Sequence, residues 1–162
     1  MVSKAIVIDT NVGIVANSEA DVSTACELKC IQSLREITEN GHLVLDAEGK
    51  IFAEYLRYLS LSGEPGVGDA FMRWVNDHQH DERFCTLISL TIRSTDQIVE
   101  FPTRQSLAGF DPSDRKFVAV AAAHPDKPPI QVALDRGWMR YRDALAEVDI
   151  QVDFLCPNDI ST

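Results

Sequence analysis

Lys4-Ala5-Ile6-Val7-Ile8-Asp9 is an unbroken apolar, largely β-branched run that ends on an acid. Four apolar positions in a row, with no polar alternation, suit a strand covered on both faces, the condition of a strand inside a parallel sheet. Outward from this segment the pattern recurs in HLVLD at 42–46 and IQVALD at 130–135, more weakly at 84–91, and finally at 148–155. Helical spacing predicts helices over about 19–39, 48–62, 67–78, 112–124 and 137–147, between these runs. Strands alternating with helices predict a three-layer α/β/α sandwich around a central, mainly parallel sheet of four to five strands. Asn40-Gly41 closes the first long helix, and Gly63, Pro65, Gly66 and Gly68 punctuate the next junction. His124-Pro125 and Pro128-Pro129 force the chain out of helix before the 130–135 run. Residues 92–109 show no clean period. With 162 residues and neither a repeat nor a linker, 1–162 reads as a single domain.

Fifteen Lys and Arg against twenty-five Asp and Glu give 15 − 25 = −10, so the chain as a whole repels polyanions and any contact with nucleic acid must be local. No apolar run approaches the ~20 residues that span a bilayer, and the amino-terminal segment reaches Asp9 too early for a signal peptide. A soluble, cytoplasmic protein without membrane contact is expected. Cys26, Cys30, Cys85 and Cys156 are scattered and read as free, buried thiols; Cys26 and Cys30 share a helix face, but two sulfurs fall short of a zinc motif. His78 and His80, two apart, read as part of a polar loop.

The acids carry the functional signal. In an open parallel sheet, ligands bind beyond the carboxyl ends of the strands, where Asp9, Asp46 and Asp135 all fall; Asp also simply marks strand ends as a turn former. Asp114 lies on the apolar arc with Phe117, Val118 and Ala121, a costly place for a carboxylate unless it folds back onto an Asp111 cap as in a capping box. Glu54 flanks a predicted buried stripe of Ile51, Phe52, Tyr55, Leu56, Tyr58 and Leu59, where a surface pairing with Lys50 or Arg57 is the ordinary explanation. Converging on one sheet edge, Asp9, Glu54, Asp114 and Asp135 would repel by roughly 4 kcal/mol per pair at ~4 Å, and a cation would relieve them. All-oxygen ligation without clustered His or Cys selects Mg²⁺ or Mn²⁺. Arg115 and Lys116 beside Asp114, and Arg136, Arg140 and Arg142 after Asp135, could form a cationic rim, with Trp138 and Tyr141 offered for base stacking.

Val7-Ile-Asp-Thr-Asn11, Glu54-Tyr55, Asp114-Arg-Lys-Phe-Val-Ala-Val-Ala121 and Ala133-Leu-Asp-Arg-Gly-Trp138 together resemble the PIN-domain nucleases in order and spacing. The resemblance covers about 40 residues spread over most of the chain. It implies a small parallel sheet carrying acids that bind Mg²⁺ or Mn²⁺ and hydrolyse RNA phosphodiesters, as in the toxins of many toxin–antitoxin pairs. Asp9, Glu54, Asp114 and Asp135 would be those catalytic metal ligands, with Thr10 and Asn11 in support. Arg115, Lys116, Arg136, Arg140 and Trp138 are the residues expected to hold RNA. An antitoxin protein and a second copy of the chain are the partners considered. Ala133-Leu134 stands where the family usually places a Ser or Thr before its fourth acid, a departure that bears on a second metal ion. The alternative is a degenerate PIN-like module that binds a protein partner or RNA without cutting. Asn11, where phosphatases that use a strand-end Asp carry a second Asp, and Arg136, where receivers need a lysine, separate the chain from phosphoacceptor folds.

Overall fold

A computed structural model describes residues 4–94 and 97–159. Strand β1 (Ala5–Ile8) leads into helices α1 (Thr10–Ala16) and α2 (Thr24–Asn40), then β2 (His42–Asp46), α3 (Lys50–Tyr58), α4 (Val67–His78) and β3 (Cys85–Ile88). A small antiparallel hairpin, β4 (Ile92–Ser94) and β5 (Gln97–Ile98), occupies the region that lacked a period. It is followed by α5 (Arg115–Ala123), β6 (Ile130–Val132), α6 (Arg136–Arg140), α7 (Arg142–Ala146) and β7 (Val152–Phe154).

The main sheet has the order β3-β2-β1-β6-β7, and all its pairings are parallel. From β1 the chain steps through β2 to β3 at one edge, then crosses to β6 and steps on to β7 at the other. Right-handed crossovers therefore put α2 and α4 on one face and α5 on the other, giving the three-layer α/β/α sandwich. The direction of travel reverses between β1 and β6, and the carboxyl ends of those two strands open the crevice where such folds bind ligands. Asp9 follows β1, and Asp135 stands three residues beyond β6.

One contiguous apolar cluster fills both layers, from Val7 and Ile8 through Leu43, Val44 and Leu45 to Ile130 and Val132. Helix α5 is buried continuously from Lys116 to Ala121, because FVAVA offers small and β-branched residues that let it lie flat across the strands. On the opposite face α1 crosses α4 at Gly68, where a Cβ would come within 2.1 Å of the Gly13 carbonyl oxygen. The Asn17 amide donates to Asp69 at 2.9 Å beside this crossing. The close approach fixes α1, whose amino terminus carries the site.

Several expectations need correction. The segment 10–16, not foreseen as helix, forms α1 because Asp9 caps it. The helix expected over 48–62 stops at Tyr58, where Leu59 turns extended, so Leu56 and Tyr58 face solvent while Ile51, Tyr55 and Leu59 are buried. The helix expected over 112–124 begins as a 3₁₀ turn (Pro112–Asp114), and the one over 137–147 breaks at Tyr141. His78 ends α4, with its ring nitrogen on the Trp74 carbonyl, rather than lying in a loop. Cys26 and Cys156 are not free thiols: they form a disulfide between α2 and the segment after β7, a pairing 130 residues apart that local pattern cannot show. Cys30 and Cys85 are free and buried, and burial pushes the Cys30 thiol up to about 12. Among the described residues, no helix is long and apolar enough to cross a membrane.

Candidate active site

Asp9 ends β1 and caps α1, its carboxylate accepting from the Asn11 amide at a long 3.5 Å. It is buried, and burial, then the charges of Asp114 and Glu54, with a smaller push from Asp135, hold it well above the usual carboxylate range; the Asn11 amide opposes them. Asp114 closes the 3₁₀ turn before α5. Burial and then the neighbouring charges of Asp111, Asp135 and Glu54 raise it to about 7, with Lys116 pulling the other way. Four side chains predicted from distant parts of the sequence are thus brought close enough to repel one another. Asp46 is excluded: its carboxylate accepts from the Lys50 and Ile51 amides, both at 2.8 Å, and serves to start α3 after the left-handed turn at Gly49.

The capping-box explanation of Asp114 fails. Asp111 caps the turn through Ser113, whereas the Asp114 side chain makes no cap hydrogen bond and points instead into the acidic cluster's field. The surface-pair explanation of Glu54 fails too. Its two oxygens meet Thr10 Oγ1 and Lys116 Nζ, the latter at 2.8 Å, so its partners come from α1 and α5 rather than from its own helix.

Thr10 therefore positions Glu54 rather than Asp9. Asn11 acts as a brace: its side chain accepts from the Ala133 amide at 3.0 Å and donates to the Leu134 carbonyl at 3.2 Å. That fastens α1 to the chain leaving β6 and sets the position of Asp135, which caps α6 through the Gly137 amide at 2.7 Å. Beneath the cluster, the Tyr55 hydroxyl donates to the Ile8 carbonyl at 2.6 Å; burial, then Asp9 and Glu54, keep this phenol protonated, with its pKa raised well above the ordinary value.

The residues expected to grip RNA divide. Arg136 and Arg140 are exposed on α6, the helix that Asp135 caps. Arg115 donates to the Ala108 and Phe110 carbonyls and lies over the Phe101 ring, so it holds the loop before α5 in place. Trp138 is 1% exposed and packs edge-on against Phe110, which removes it as a stacking platform. Lys116 is buried and joins Glu54 to the Ser113 carbonyl, serving as an internal counter-ion rather than a hand for phosphate. Sequence pattern hides that role, because α5 is buried continuously from Lys116 to Ala121 and the partner, Glu54, lies 62 residues away.

The arrangement gathers carboxylates at the mouth of the sheet's switch point with one ammonium among them. Such a set can exchange protons near neutrality, Asp114 being raised to about 7; among the described residues no three of its acids hold oxygens within 4.8 Å of one another. Compared with models of protein families, with curated proteins and with solved structures, the chain gives no match.

Proposed function

We propose that the chain is a Mg²⁺- or Mn²⁺-dependent ribonuclease of PIN-like design, with Asp9, Glu54, Asp114 and Asp135 as its metal-binding acids. The observation that carries this reading is the convergence of these acids at the β1/β6 crevice, with Asp9 raised by burial and the charges of Asp114, Glu54 and Asp135, and Asp114 by burial and the charges of Asp111, Asp135 and Glu54. By chemistry the donor set is one a hard ion takes, but among the described residues no three of these acids hold oxygens within 4.8 Å of one another, so an ion would have to draw them together. The set is all oxygen, and the buried Asp9 carboxylate receives only the weak Asn11 bond among the described residues.

When bound, the ion would supply an activated water and charge neutralisation for in-line phosphodiester hydrolysis. Asp9 and Asp114 would lose their protons to hold it, while Thr10 and Lys116 keep Glu54 oriented. Asn11 holds Asp135 in register with Asp9. Arg136 and Arg140, exposed at the rim, would hold the RNA backbone against the repulsion of a chain of net charge −10.

A second reading is favoured by the Lys116–Glu54 pair, which offsets one acidic charge from within and lessens the demand for an ion. Under it, the module binds RNA or a protein partner without cutting. The deciding experiment measures thermal midpoint and cleavage of single-stranded RNA with Mn²⁺ and with chelator. The nuclease reading expects Mn²⁺ to raise the midpoint and permit cleavage, and Asp9→Asn to abolish both. Wild-type protein indifferent to Mn²⁺, with the RNA intact, selects the binding module.

A further inference from the structure

Away from the acidic crevice, three sulfurs meet under α2. Cys26 and Cys30, one turn apart on α2, face Cys156 after β7, and the ligand atoms of all three lie within 4.8 Å of one another. All three side chains are buried. The Cys156 amide donates to the Ala133 carbonyl at 3.0 Å, and Asp159 accepts from the Ser23 amide and hydroxyl, both at 2.7 Å. The chain on either side of Cys156 is thus held to the end of β6 and the start of α2 by bonds that do not involve sulfur.

A structural disulfide needs two cysteines, and here a third thiol is placed against the pair, Cys30 Sγ lying 4.0 Å from Cys156 Sγ. Disulfide exchange wants attacking, central and leaving sulfurs in a line, which across the 4.0 Å gap and a sulfur–sulfur bond of ~2 Å would set the outer two about 6 Å apart, whereas all three lie within 4.8 Å of one another. These sulfurs form a triangle instead. A triangle is the shape of thiolates sharing one ion: with zinc–sulfur bonds of ~2.3 Å in tetrahedral geometry, neighbouring sulfurs stand about 3.8 Å apart.

We propose that, once the Cys26–Cys156 bond is reduced, Cys26, Cys30 and Cys156 bind a thiophilic ion, Zn²⁺, clamping the carboxyl-terminal segment to α2. A dithiol supplies the reduction: it gives up two electrons and two protons, becoming a disulfide itself, and leaves Cys26 and Cys156 as thiols. Zinc then displaces three protons to form three sulfur–zinc bonds, leaving one coordination position for a small oxygen ligand. Among thiophilic ions, divalent zinc leaves less uncompensated negative charge on three buried thiolates than monovalent copper does. The site is independent of the ribonuclease reading, since it shares no residue with the acidic crevice.

The test uses the full chain, reduced with excess dithiol, freed of reductant without air, and titrated with Co²⁺ as a spectroscopic stand-in for zinc. The expected result is a near-ultraviolet thiolate-to-cobalt charge-transfer band that saturates at one equivalent and is displaced by Zn²⁺. Carboxylates give no such band, so the acidic crevice does not interfere. Cys30→Ser should lose at least 100-fold in affinity, and Cys85→Ser should match the wild type. No band in the reduced wild type, or an equal band in Cys30→Ser, overturns the proposal. Should Cys30→Ser fail to fold, alkylation of the reduced wild type decides: zinc should slow the modification of Cys26, Cys30 and Cys156 at least tenfold and leave Cys85 unchanged, and equal rates with and without zinc overturn it.

Discussion

Replacing Asp114 with Asn should stabilise the metal-free protein at alkaline pH and leave it unchanged in acid. The rise of Asp114 from its ordinary 3.8 to about 7 corresponds to about 4 kcal/mol that the ionised group costs the folded state. Residual solvent contact trims this to roughly 2–4 kcal/mol. The sign follows from proton counting. Below about pH 4 folded and unfolded chains both hold the proton, so nothing is lost. Between about pH 4 and 7 only the unfolded chain releases it, so stability falls as pH rises, and the full cost is present above 7. Asn keeps the shape without the charge. Urea unfolding in chelator should therefore give equal midpoints for the two proteins near pH 4 and a midpoint ~1–2 M higher for Asp114→Asn near pH 8. Adding Mn²⁺ at about 1,000 times its dissociation constant should reverse the order, since the wild type gains about 4.1 kcal/mol and the variant nothing. A variant less stable than wild type at pH 8 without metal, or the same difference at both pH values, would refute the account of the cluster.

Lys116→Met removes the ammonium from Glu54, and losing one partner of a mostly buried pair should cost about 3 kcal/mol in chelator, read by urea unfolding; a loss under ~1 kcal/mol would show that the pair is not the internal counter-ion described. Asn11→Ala leaves the Ala133 amide and Leu134 carbonyl without their partner and should destabilise by roughly 1–3 kcal/mol, while weakening Mn²⁺ binding through the displaced Asp135. Trp138→Ala should cost about 3–5 kcal/mol as a core truncation, seen in thermal unfolding. The Arg136→Ala, Arg140→Ala double variant should bind single-stranded RNA more weakly at low salt and show a shallower salt dependence; unchanged binding removes the cationic rim.

The layers, and the candidacy of the four acids, were legible in the sequence. Short continuous apolar runs ahead of Asp9, Asp46 and Asp135, rich in β-branched residues, suit strands covered on both faces, and a carboxylate on an otherwise apolar helix needs a reason wherever it occurs. What separates Asp46 from the others is not in its own segment, which looks the same as that of Asp9. The difference is that two amides of α3 turn back onto it, whereas Asp9 faces Asp114 and Glu54 across the switch point. Tertiary structure also decided the partners of Glu54, the burial of Trp138, and the meeting of Cys156 with Cys26 and Cys30. Each of these depends on where distant segments cross, and helical or strand periodicity carries only the direction a side chain leaves its own element. The strand order that puts β6 beside β1 brings Asn11 to Leu134 and Asp135 to Asp9, over a sequence distance of more than a hundred residues that no local pattern spans.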